Sequence, residues 1–170
     1  LAVTRIEEGR VQLNMTAELM DEVISEALHH IRRSRGSRQI RVEDTEEFIF
    51  ARMDPKLIMQ VIINIVDNAL KYTPDGSQIV LSARKEQNQV VVQIRDDGPG
   101  IPDEQKTKIF EMFYTGAQRA ADSRRSLGLG LCLCRSIIHA HGGEITVTDA
   151  QPHGAVFTFT LPAGEVEIHE

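Results

Sequence analysis

The sequence has no uninterrupted apolar run approaching the ~20 residues that cross a bilayer, and no charged-then-apolar leader opens it. It therefore reads as a soluble piece. Cysteine is scarce: Cys132 and Cys134 are the only two, which give neither a disulfide framework nor a four-ligand zinc site. Alternate positions on a helix point apart, so both are expected to be small buried hydrophobes in a reducing compartment. A basic excess is also missing. Nineteen basic against 25 acidic residues give a net charge of −6, which argues against a general nucleic-acid or anionic-membrane surface. A local site for a small anion stays open. What is present is ordinary for one soluble domain with a real core: 170 residues, 41% hydrophobic and 26% charged.

The opening "LAVTRIEEGRVQLN" carries no complete element and resembles the frayed end of something longer, followed by a short extended segment. Apolar spacing at Val23, Ile24, Ala27, Leu28 and Ile31 predicts a first helix from about Ala17 to Arg33. Short strands are expected around Ile40 to Val42 and Phe48 to Ala51, after the basic turn "SRGSRQ". A strongly amphipathic helix then runs from Asp54 to Tyr72 and is stopped by "TPDG". Two β runs, Gln78 to Arg84 and Gln89 to Arg95, flank the turn "KEQN" as a hairpin. A short helix is expected to carry Ile109, Phe110 and Phe113. The segment "TGAQRAADSRRS" has almost no large apolar residue and is expected to be exposed and mobile. "LGLGLCLCRSIIHAHGG" predicts a helix entered through glycines and capped by Gly142 and Gly143. Strands Glu144 to Thr148 and Ala155 to Leu161 close the chain, the second alternating at Phe157, Phe159 and Leu161. Hairpins with helices gathered between them predict an α+β two-layer sandwich, a mixed and mostly antiparallel sheet with helices on one face.

Three clusters carry chemistry. In "NIVDNALKY", Asn64, Asn68 and Lys71 are spaced by four and three, one polar stripe on an otherwise apolar helix. Asparagine costs roughly 0.6 kcal/mol relative to alanine in a helix, so the pair needs a reason beyond propensity. An amide oxygen suits magnesium, and a lysine one turn on can meet phosphate. Capping of a neighbouring loop, or simple exposure, is the bland alternative. In "RDDGPGIP", Asp96 ends a strand beside Gly98 and Gly100; its acceptor-only carboxylate could receive a hydrogen bond from adenine's exocyclic amine. "DDGPG" is also a good plain turn. In "SLGLGLC", glycines at a helix start could bring backbone amides to a phosphate, or could serve close packing. The spacing matches neither a Walker loop nor a dinucleotide fingerprint, since Leu133 stands at the third glycine position. Combined, the three describe a site for an adenine nucleotide with magnesium.

In this order the motifs resemble the ATP-binding catalytic domain of sensor histidine kinases, within the wider group shared with gyrase, Hsp90 and MutL (the Bergerat, or GHKL, fold). "NIVDNALKYTPDG" resembles the N box, "DDGPGIP" and "LGLGL" the two glycine boxes, "IFEMFY" the F box and "GAVFTFTLP" the closing strand. "LGLGL" followed by "CRSIIHAHGG" is similar to the potassium-responsive KdpD-type kinases. The resemblance implies that Asn64 and Asn68 face magnesium and phosphates, with Asn68 the first choice as ligand, and that Lys71 contacts phosphate. It places Tyr72 beside the nucleotide and Asp96 on the adenine amine. Gly98, Gly100 and Ile101 would shape the adenine pocket, Gly128, Leu129, Gly130 and Leu131 would meet phosphates, and Thr158 would line the adenine side. A lid at about Tyr114 to Leu127 would close over ATP, with Arg119, Arg124 or Arg125 adding charge.

The resemblance further implies residues 1–13 as the remnant of a dimerisation helix and linker, 14–162 as the catalytic domain and 163–170 as a tail. The partners implied are a phosphoacceptor helical hairpin of the same protein and, indirectly, a response regulator; the parent would be a membrane-associated homodimer and this cytoplasmic piece a monomer. Two departures stand out. Ser126 occupies a usual glycine position, and none of His29, His30, His139, His141, His153 and His169 sits in a phosphoacceptor setting, so all six read as surface or structural histidines. The rival readings are an ATP-sensing interaction module without phosphotransfer, and a GHKL-type ATPase. The second is weakened by Asn64, which stands where such ATPases carry a glutamate base.

Overall fold

The computed structural model describes residues 12–31, 38–44, 47–111 and 130–164. In chain order these form β1 (Thr16–Leu19), α1 (Met20–His29), β2 (Gln39–Val42), β3 (Phe50–Met53), α2 (Pro55–Tyr72), β4 (Gln78–Glu86), β5 (Gln89–Asp96), α3 (Gly130–Ala140), β6 (Ile145–Asp149) and β7 (Ala155–Pro162). Between β5 and α3 lie two single 3-10 turns, Asp103–Gln105 and Lys108–Phe110.

Five strands form one sheet in the order β2-β4-β5-β7-β6, antiparallel throughout except for β2, which runs parallel to β4. β1 and β3 make a separate antiparallel pair. One sheet face is apolar, carrying Ile79, Leu81, Val92, Ile94, Phe157 and Phe159, and it shares a single core cluster with the buried sides of α1, α2 and α3. The expected two-layer α+β sandwich is therefore the fold observed. The site depends on α2, whose buried residues Ile58, Val61, Ile62, Ile65, Val66, Ala69 and Leu70 keep helical spacing. Proline at its first position suits the missing N–H there. The helix stops because Pro74 disfavours helical geometry at Thr73, which adopts φ −110° and ψ 147°.

Several expectations need correction. The first helix is shorter than Ala17 to Arg33: Thr16–Leu19 instead pairs with Phe50–Met53. Those backbone groups find partners on a strand more than thirty residues away, which local spacing does not report. The hairpin strands continue through Glu86, leaving a two-residue turn with Gln87 at φ 54°. The expected helix at Ile109 and Phe110 is only 3-10 turns, although both side chains are buried as anticipated, and Phe113 lies outside the described residues. At the end of the fold, Ala163 N–H donates to Asn88 O and Gly164 N–H to Phe50 O, so the backbone contacts run two residues past the expected boundary at 162.

α3 ends as anticipated. Gly142 sits at φ +79°, Gly143 N–H reaches Ile138 O at 3.0 Å and Gly142 N–H reaches His139 O at 3.0 Å, a Schellman cap. Just before it, buried His141 ties α3 to α2: Nδ1 donates to Ile137 O at 2.7 Å and Nε2 accepts from Asp54 N–H at 3.0 Å. That pairing needs the neutral ring. Burial pushes the His141 pKa below its ordinary 6.5, opposed only in part by the Ile137 carbonyl and the Asp54 carboxylate. The unfolded chain therefore binds the proton first, so this contribution to stability is complete above about pH 6.5 and is lost as pH falls through the lower folded value. Chemical denaturation between pH 7 and pH 5 should show a stability loss on acidification that is smaller in His141→Asn; equal slopes in the two proteins would refute it.

Candidate functional site

A cavity of about 390 Å³ opens between the last two turns of α2, the loop leaving β5 and the start of β7, a size that suits a small organic ligand. α2 supplies Asn68, Ala69, Lys71 and Tyr72 from one side, and Thr73 and Pro74 continue that wall. Asp96, Pro99, Gly100 and Ile101 face them, with Ala155 and Phe157 from β7. Phe157 is held edge-on by Phe110, ring centres 6.2 Å apart at 81°.

Asp96 is 8% exposed, and its carboxylate is oriented by the surrounding backbone: Oδ1 accepts from Gly98 N–H at 2.9 Å and from Ala155 N–H at 3.3 Å. Strand alternation separates the two aspartates. Asp97 Oδ1 accepts from Gln78 N–H at 2.8 Å and anchors the start of β4 instead. The glycines around Asp96 sit where a side chain would be crowded, most severely at Gly154. A Cβ on Gly98 would lie 2.7 Å from Thr73 Cγ2, and one on Gly154, at φ +115°, would lie 2.0 Å from Asp96 O. His153 Nδ1 donates to Gly98 O at 3.1 Å and holds the loop from its other side.

Of the residues singled out in the sequence, Asn68, Lys71, Tyr72, Asp96, Gly100 and Ile101 come together on this cavity, with Gly98 immediately behind it. Lys71 Nζ lies 3.9 Å from Asp67 Oδ2, a loose i,i+4 pair worth little. Asn64 is placed elsewhere. Its Oδ1 accepts from Gln60 Nε2 at 2.9 Å and its Nδ2 donates to Gly130 O at 3.4 Å, so the amide bridges α2 to the start of α3 rather than lining the cavity. Leu131 is 7% exposed and packs in the core, so its side chain is no phosphate contact. Gly128 and Leu129 lie outside the described residues, as do the expected lid, its arginines and Ser126.

Thr158 is corrected outright. It accepts a hydrogen bond from Gln93 Nε2 at 3.3 Å on the sheet face away from the helices. The cavity-facing residues of β7 are Ala155 and Phe157. The signal was available: alternation from Phe157, Phe159 and Leu161 places residue 158 on the opposite face and residue 155 inward. Thr73 and Pro74 were also missed, because as part of "TPDG" they read only as a helix stop.

Both cysteines are buried and neither forms a disulfide. Desolvation pushes the Cys134 thiol up to about 12, against a weaker pull from the Asn64 amide, so it is protonated and unreactive at neutral pH. Among the described residues no three His, Cys, Asp or Glu side chains gather as a metal site. The donor at the cavity is instead the neutral Asn68 amide with Lys71 a turn away, a set that fits a hard cation shared with ligand phosphates better than a cation bound by protein alone.

Residues 53–165 match the family model of the histidine kinase-, DNA gyrase B- and HSP90-like ATPases. A sensor protein KdpD from Clostridium acetobutylicum is 40% identical over 162 residues, covering 95% of this chain and 18% of that protein. Among solved structures, the catalytic domain of the histidine kinase ThkA superposes with a TM-score of 0.70 at 30% identity, over 88% of this chain and 97% of that one. ThkA in complex with the response regulator TrrA gives 0.71 at 30% identity, over 96% of this chain and 46% of that one. The mycobacterial sensor histidine kinase MprB gives 0.75 at 27% identity, over 89% and 98%. The chain belongs to the histidine kinase-, DNA gyrase B- and HSP90-like ATPase family, as a catalytic domain of the histidine-kinase kind. It spans about a fifth of the KdpD relative's length. No helix among the described residues is long and apolar enough to cross a membrane.

Proposed function

We propose that this chain is the ATP-binding catalytic domain of a two-component sensor histidine kinase, binding magnesium–ATP and delivering the γ-phosphoryl group to a histidine on a dimerisation hairpin of its parent protein. The observation that carries this is Asp96: a buried carboxylate, locked by two backbone N–H groups, on a cavity whose opposite wall bears Asn68 and Lys71. The carboxylate would accept the adenine amine, Ile101 and Phe157 would meet the base, and Tyr72 would lie beside the nucleotide. Lys71 would neutralise phosphate oxygens as a point charge.

Asn68 would hold magnesium, which when bound supplies further charge neutralisation across the phosphates. Asn64 would join it only by giving up Gly130. Phosphoryl transfer of this kind depends on positioning and charge neutralisation, so the residues that bind are also those that act. We further propose residues 1–13 as the remnant of the preceding dimerisation helix and linker, and a catalytic domain that begins at 14 and extends past the expected end at 162 to include Ala163 and Gly164, which hydrogen-bond into the fold, with the remainder as a tail. In the same proposal the domain is monomeric and cytoplasmic, contacts neither nucleic acid nor membrane, and acts on a response regulator only through the hairpin of a membrane-associated, dimeric parent.

Calorimetric titration of the chain with a non-hydrolysable ATP analogue tests the binding half. Binding should strengthen with magnesium, and Asn68→Ala should remove most of that strengthening, about tenfold in affinity. A supplied hairpin domain and labelled ATP test the transfer half. Normal ATP binding without label on the hairpin histidine would sink the kinase reading in favour of a sensing module.

A further inference from the structure

Helix α2 carries Lys71 and Tyr72 in its last turn, where backbone carbonyls have no partner within the helix and a cation is favoured. A residue distant in sequence occupies that position. Arg38 Nη2 donates to Thr73 O at 2.7 Å, Nε to the same oxygen at 3.1 Å, and Nε also lies 3.2 Å from Thr73 Oγ1. Nη1 lies 3.5 Å from Asp75 Oδ1. The Arg38 side chain is 17% exposed while that of Asp75 is 83% exposed, so the fork is turned onto the backbone and the ion pair is its solvent-side remainder. The parallel pairing of β2 with β4, together with Gln39 N–H donating to Ser77 O at 3.0 Å, fixes where Arg38 leaves the sheet.

Thr73 is itself a cavity residue, buried, with its hydroxyl on Ala69 O at 2.7 Å. Its Cγ2 is packed so closely against Gly98 that a single carbon there would sit 2.7 Å away. Gly98 N–H in turn holds Asp96 Oδ1. A continuous line of contacts thus runs from the Arg38 guanidinium through Thr73 and Gly98 to the Asp96 carboxylate. We propose that Arg38 is a positioning residue that closes the end of α2 and thereby holds the Thr73–Pro74 wall and Asp96 in the geometry that distinguishes adenine from guanine nucleotides. This rests on the nucleotide reading above and adds what sets its specificity. Adenine offers a donor where guanine offers a carbonyl acceptor, so discrimination requires a carboxylate that cannot shift or admit water. A planar fork that grips the Thr73 carbonyl from two nitrogens does this better than lysine's point charge.

The test is titration of the chain with non-hydrolysable ATP and GTP analogues in magnesium, beside thermal unfolding, for wild type, Arg38→Ala, Arg38→Lys and Asp75→Asn. Arg38→Ala should weaken ATP binding about tenfold and narrow the ATP-to-GTP preference, with Arg38→Lys intermediate and Asp75→Asn like wild type. A lower unfolding midpoint with unchanged ATP affinity and unchanged preference would make Arg38 a helix cap and nothing more, overturning the proposal. Should Arg38→Ala fail to fold, Arg38→Lys decides: a wild-type preference in that variant overturns it equally. A wild-type chain that binds neither nucleotide refutes the underlying nucleotide reading, an outcome distinct from a wild type that binds while its Arg38 variants match it.

Discussion

Asp96→Asn is expected to abolish adenine-nucleotide binding, with a loss of at least about a hundredfold, while leaving the fold intact. The substitution is isosteric. The amide oxygen can keep both backbone bonds now made by Oδ1, to Gly98 N–H and Ala155 N–H. The other half of the group then becomes a donor, and a donor facing adenine's exocyclic amine leaves both polar groups unsatisfied in a buried site. Calorimetric titration with the ATP analogue measures the loss, and the unfolding midpoint checks the fold. Retained affinity would show that Asp96 does not read the base.

Gly154→Ala is expected to damage stability and binding together. The added Cβ would meet Asp96 O at 2.0 Å, Asp96 C at 2.8 Å and Asp97 Cα at 3.0 Å, all backbone atoms that cannot swing aside. The backbone there also sits at φ +115°, which a side chain rarely adopts. We expect a cost of about 3 kcal/mol or more, an unfolding midpoint lowered on the order of 10 °C, and nucleotide affinity lost because the strand end carrying Asp96 must move. Gly76→Ala is the control. It has a positive φ of +85° but nothing within 4 Å, so only backbone strain of about 1 kcal/mol applies. Equal costs at the two positions would show that the approach to Asp96 is not what Gly154 serves.

Much of the fold was legible in the chain. The 18-residue α2, both strands of the β4–β5 hairpin, the Schellman cap at Gly142 and the alternation of β7 are all local signals, each written in residues a few positions apart. Of the cavity residues, Asn68, Lys71 and Asp96 stood out as polar groups beside apolar elements and Gly100 through its turn sequence, whereas Tyr72 and Ile101 were legible only through the family resemblance. What failed was long-range. Thr16–Leu19 became a strand because Phe50–Met53 offered hydrogen bonds, and Asn64 turned to Gly130, 66 positions away.

The sequence by itself determined the fold class and the end of α2 where a ligand would sit, because periodicity and spacing specify which face of each element is apolar and which is not; the family was legible only through the resemblance of its motifs taken in order. Only the tertiary structure decided which distant residues share the cavity. It brought Thr73, Ala155 and Phe157 to Asp96, sent Thr158 to the other face of the sheet and set Arg38 on the Thr73 carbonyl. Hydrogen bonds between distant segments are chosen by where the packed core places their donors and acceptors, and that placement is a property of the assembled layers rather than of any short stretch of chain.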